Sequence, residues 1–116
     1  MPDRADAQPT FAHVVRFKAP MEQLLGIGMQ GFRERVVPAL RELPGLRGTL
    51  VLLDRAEGEQ LGITLWDTEE HARAAAIRLE PEREIGVVEM GAASAPGNLY
   101  DVVVQTTGSL AEADST

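Results

Sequence analysis

His13 shares a strand parity with Phe11, Val15 and Phe17, which places an imidazole, a candidate tool of an enzyme, on an otherwise apolar face. A satisfied core or interface histidine is the commoner fate of such a residue. His71, the other histidine, falls in the first turn of a helix, where a solvated position is expected. The two lie on different elements, with no His-x-His or His-x-x-x-His pairing, so no metal site is expected. The chain has no cysteine, and Ser94, Ser109 and Ser115 stand in loop or tail outside any nucleophile-elbow context. No hydrolase reading survives. Arg16 and Asp101 are charges among apolar strand residues; they are expected to pair across a sheet, or else one of them orients a polar substrate group. Trp66 is the one tryptophan, at a strand end just before a helix; its plain role is core packing with the indole N–H bonded.

Gly26-Ile27-Gly28-Met29-Gln30-Gly31 matches a dinucleotide fingerprint, and Asp54 at the end of the next strand could serve as the ribose acid. A working fingerprint has a strand running straight into its first glycine. Here Ala19-Pro20 and a helix-like stretch intervene, and so short a chain cannot build two mononucleotide halves. The competing reading is a loosened first helix that leaves room over a pocket. Asp54, Glu57 and Glu59 surround a hairpin turn and read as a solvated face.

The elements that must position these residues form one domain of modest core, since the chain has 116 residues. Residues 1–9 read as a flexible arm, 10–106 as the folded domain and 107–116 as a flexible tail. The net charge of −7 argues against nucleic acid and anionic membrane as partners, which call for a cationic footprint. The opening residues lack the apolar core of a signal peptide and no apolar run reaches spanning length, so a cytoplasmic protein without a membrane partner is expected.

Residues 10–18 read as a first strand stopped by Ala19-Pro20. Leu25, Met29, Phe32, Val36, Leu40 and Leu43 recur at helical steps, predicting an amphipathic helix over 21–43 that Pro38 kinks and glycines loosen in its first half. Leu46–Asp54 and Glu59–Trp66 form a hairpin across residues 55–58. A second helix follows, with Asp67 as its cap and Glu70 completing a capping box, and Glu80-Pro81 interrupts it. Residues 83–90 fit a helical turn or a short strand, 92–98 a loop and 99–106 the last strand.

The order β-α-β-β-α-β predicts an α+β, ferredoxin-like split βαβ domain with antiparallel sheet order 4-1-3-2 and both helices on one face. The strands carry apolar residues on both parities, whereas two helices cover one face only. The other face is expected to lie against a second copy, making a homodimer.

Val37-Pro38-Ala39-Leu40 with Leu43-Pro44-Gly45, Leu65-Trp66-Asp67-Thr68-Glu69-Glu70, and Tyr100-Asp101-Val102-Val103 carry a family resemblance. With them, residues 10–106 resemble a dimeric α/β-barrel protein of the antibiotic-biosynthesis-monooxygenase-like superfamily. The resemblance implies two sheets facing each other across a homodimer and a ligand cleft between helices and sheet in each subunit. It implies no cofactor, and it makes Trp66, His13, Arg16 and Tyr100 the candidate ligand-binding residues. Quinone-forming members carry an Asn four residues before the tryptophan, where this chain has Gly62. Haem-degrading members use an Asn on the first strand and a ligating helix histidine; neither His13 nor Arg16 supplies the first, and His71 sits early for the second. Two functions follow: a cofactor-independent monooxygenase-like enzyme acting on a small aromatic or polyketide-like molecule, or a non-catalytic small-ligand-binding or accessory homodimer.

Overall fold

The computed structural model describes residues 10–106; the arm expected over 1–9 and the tail over 107–116 lie outside the described residues. Strand β1 is Thr10–Lys18, β2 Leu46–Asp54, β3 Glu59–Trp66 and β4 Ala93–Val102. They form one antiparallel sheet in the order β2-β3-β1-β4, the expected ferredoxin-like topology. The β2–β3 hairpin closes over residues 55–58, where the Gly58 amide donates to the Asp54 carbonyl at 2.9 Å.

Two helical elements cover one face. The first, α1, runs over residues 21–41 and alternates α-helical turns with π-helical segments at Leu24–Gly28 and Phe32–Val36. Pro38 has no amide to donate and its ring crowds the carbonyl four residues back, so a widened turn ahead of it relieves both problems. The Gly-x-Gly-x-x-Gly stretch is inside this helix, not in a strand-to-helix turn, which removes the dinucleotide reading. Gly28 serves packing instead: a Cβ there would meet Met90 Sδ at 2.5 Å.

The second helix, α2, spans Glu69–Met90 without a break, correcting the expected interruption at Pro81. Pro81 is exposed and the bond it cannot donate frees the carbonyl of Ile77, itself 77% exposed, so water can satisfy it. The cap is also one residue later than expected. Thr68 Oγ1 accepts from the His71 amide at 3.0 Å, while Asp67 Oδ1 accepts from the His71 ring at 2.7 Å. Arg35 of α1 ties the helices together through Glu82 (3.5 Å) and Glu89 (2.9 Å) of α2.

The core lies between helices and sheet in two clusters. Trp66, Leu40, Ala72 and Ala75 fill one end, with Phe11, Leu46 and Leu99 packed against them. Phe17, Leu24 and Met90 fill the other, with Val15 and Leu53 alongside. Strand alternation then assigns Ala12, Val14, Leu50, Leu52, Leu61, Leu65 and Tyr100 to the opposite face. Leu50, Leu52 and Tyr100 there are about half exposed (51%, 46% and 46%).

β4 begins six residues earlier than the strand expected over 99–106, within the expected loop, and ends at Val102. The expected Arg16–Asp101 pair does not form: Asp101 stands opposite Phe11, and Arg16 opposite Ala95 beyond a bulge. Arg16 reaches Glu59 instead, at 3.8 Å on the outer face.

Candidate functional site

Between the two core clusters the helices stand off the sheet and leave a cleft of about 130 Å³. Val15 and Phe17 of β1, Val51 of β2 and Gly62 of β3 form its floor, Phe32 and Val36 of α1 one wall, and Ala76 and Leu79 of α2 another. Polar groups enter it at few points: His13 from β1, Thr49 from β2, Gln60 and Thr64 from β3, and Glu80 with Arg83 from α2. An apolar cavity with a few converging polar groups is the usual form of a small-molecule site.

His13 is set by strand parity, and its neighbour on β4 has no side chain. A Cβ on Gly97 would stand 2.4 Å from His13 Nε2, so only glycine leaves the imidazole its place. Burial and the nearby Arg83 cation hold the His13 pKa below its ordinary value, against a smaller opposing pull from Glu80. Each guanidinium nitrogen of Arg83 donates a hydrogen bond. Its Nε donates to Glu80 Oε1 at 3.3 Å, Nη2 donates to Glu80 Oε2, and Nη1 donates to Ser94 Oγ at 2.8 Å. This bridge crosses from α2 to β4, and Glu80 compensates the charge of Arg83, the cation among the described lining residues.

Gln60 is 5% exposed, on β3 between its ladder partners Phe17 and Leu53. Its Oε1 is buried and accepts no hydrogen bond from any described residue. An orphaned buried acceptor costs about 1–3 kcal/mol, so such groups call for an explanation.

Of the four residues singled out by sequence, the structure brings only His13 to the cleft. Trp66 is completely buried in the core, its indole bonded to Thr64. Arg16 and Tyr100 stand on the far face of the sheet. Gln60, Thr64, Glu80 and Arg83 were missed. Gln60 and Thr64 share the parity of Trp66, so alternation along β3 carried the signal; Arg83 follows Ala72, Ala76 and Leu79 on one helix stripe once the helix is continued through Pro81.

No family model matches the chain. Two uncharacterized proteins of Mycobacterium tuberculosis, from two strains, are each 35% identical over 78 residues, 67% of this chain. The chain spans about a third of the length of these curated relatives (33%). Among solved structures, it is similar to SnoaB of Streptomyces nogalater, a cofactor-independent oxygenase. That likeness has a TM-score of 0.56 and 20% identity, and covers 84% of this chain and 96% of the other. A monooxygenase of Streptomyces coelicolor in complex with nanaomycin D matches with a TM-score of 0.61 and 18% identity, covering 89% and 94%. A dimeric ferredoxin-like protein from an uncultured marine organism matches at 0.61 and 13%, covering 84% and 99%. The chain thus has the ferredoxin-like fold that these solved structures share.

Proposed function

We propose that the protein works in the cytoplasm as a homodimer that binds a small aromatic molecule in the cleft and oxygenates it without a cofactor. One observation carries this reading: a largely apolar cavity holds a half-buried imidazole whose pKa is depressed, so that at pH 7 it stands in its neutral form, with a ring nitrogen able to accept a proton. The likeness to a cofactor-independent oxygenase supports it. A cavity near 130 Å³ compares with one of roughly 150 Å³ that accommodates benzene, which favours a single ring. His13 takes the hydroxyl proton of a phenol, and the electron-rich phenolate reduces dioxygen. For a phenol unsubstituted opposite its hydroxyl, one dioxygen is consumed; one of its atoms becomes the second quinone carbonyl and the other leaves as water. The ring supplies all four electrons.

The homodimer rests on the apolar outer face of the sheet, where Leu50, Leu52 and Tyr100 stand exposed beyond what a solvated strand needs. The fold shared with a dimeric neighbour supports it.

A non-catalytic binding or accessory homodimer is the second reading, favoured by Gly62 on the cleft floor, where quinone-forming members carry an Asn. Dioxygen uptake with phenol, for wild type and His13→Gln, separates the two. Uptake that His13→Gln abolishes supports the oxygenase. Ligand binding with no uptake above buffer leaves the second reading standing.

A further inference from the structure

Among the described residues, Gln60 lines the cleft with a buried side-chain acceptor that has no partner. Arg83 and Glu80 satisfy each other, Trp66 donates to Thr64, and Thr49 Oγ1 donates to the Ile63 carbonyl at 3.0 Å. Gln60 is nineteen-twentieths buried, stands between Phe17 and Leu53 in the sheet and is one of the residues lining the cavity, and its Oε1 is unpartnered. A leucine would pack at this place with no such cost, so a carboxamide here calls for a bonding partner that is not part of the described chain.

We infer that Gln60 is the specificity-determining residue of the cleft, accepting a hydrogen bond from the hydroxyl of an uncharged, single-ring, phenol-like ligand. The inference deepens the reading of the cleft as an aromatic-binding site and rests on it. Three features define the ligand class. The volume admits one ring, the largely apolar walls favour an uncharged body, and the orphan acceptor requires a donor at the ligand's edge. A site that hydrogen-bonds a hydroxyl discriminates against the analogue lacking it, because the buried acceptor is then left unpaired.

Phenol and toluene have nearly the same shape and differ in that hydroxyl, so calorimetric titration of the full chain with each is the test. Gln60→Leu is expected to shift the ratio of phenol to toluene affinity about tenfold toward toluene, the worth of one buried hydrogen bond. Gln60→Met serves the same purpose should the leucine variant not fold. In wild type, the Gln60 side-chain amide resonances should move on adding phenol and stay nearly still with toluene. A ratio unchanged within twofold in a folded variant, or amide resonances indifferent to phenol, overturns the role of Gln60 and leaves the cleft reading intact. Failure of both probes to bind wild type overturns the cleft reading and the inference together.

Discussion

Trp66 Nε1 donates to Thr64 Oγ1 at 2.8 Å, across two residues of one strand. Both side chains point toward the helices, Trp66 into the closed core and Thr64 to the wall of the cleft. The core is thereby joined to the cavity through one hydroxyl. Trp66→Phe should lower stability by about 2–3 kcal/mol, from lost volume and a lost bond, and Thr64→Val by about 1 kcal/mol. Their double variant should lose less than the sum, because each removes the same bond. Denaturant melts measure this, and strict additivity would contradict the shared bond.

The stability of the protein should fall as pH drops below about 6.5, where the unfolded chain's imidazole gains its proton. The sign follows from His13, whose folded pKa is depressed: the native state resists a proton that the unfolded state accepts. The loss therefore grows between the unfolded and the folded pKa and levels off below the latter. Asp67, also depressed by the hydrogen bond from His71, acts in the same direction only near and below about pH 4. Thermal melts of wild type and His13→Gln from pH 7.5 to 5 should diverge in slope; parallel curves would refute the assignment.

Arg83→Met should raise the His13 pKa. It removes a cation that opposes imidazolium and leaves Glu80, which favours it. Proton NMR titration of the imidazole reads the shift directly, with His71→Gln to assign the two histidines. A His13 value that stays put or falls would show that Arg83 acts only as a strut between α2 and Ser94 of β4.

The outer sheet face predicts a dimer at micromolar concentration, and Leu52→Glu should weaken it at least tenfold by placing a carboxylate in an apolar seam. Sedimentation velocity distinguishes the species. A wild-type chain that sediments as a monomer with a cooperative melt would remove the homodimer from the proposal.

β1, β2 and β3 were legible to their ends because strong punctuation bounds them: Ala19-Pro20 after β1 and the glycine-closed turn over 55–58 between the others. β4 was misread because Pro96 and Gly97 look like loop residues. An edge strand pairs on one side only, however, and tolerates a residue with no amide to give. Its far end was overextended for a different reason. Val102 pairs with Thr10, the first described residue of β1, so Val103 and Val104 find no ladder partner among the described residues despite their β propensity. Parity delivered His13, and it could have delivered Gln60, but a single amide beside a hairpin reads as a solvated strand end. Glu80 and Arg83 were lost with the C-terminal half of α2, since a mid-helix proline signals a break unless its freed carbonyl is known to face water. Arg16 has the parity opposite His13, Val15 and Phe17, so alternation along β1 already turned it away from the cleft, whereas the face of Tyr100 follows from its pairing with Ala12, which no local pattern announces.

Winding part of α1 in π turns gives the cleft a wall unlike its floor. Phe32 and Val36 are carried by a segment whose backbone bonds close a wider, less favourable ring, whereas His13 and Gln60 sit on the two central strands, laddered on both sides. In hydrogen-exchange terms the site is bipartite. Amides of residues 24–36 should exchange well ahead of those of β1 and β3, so local opening there lets a ligand enter past α1 while the groups that select it hold still.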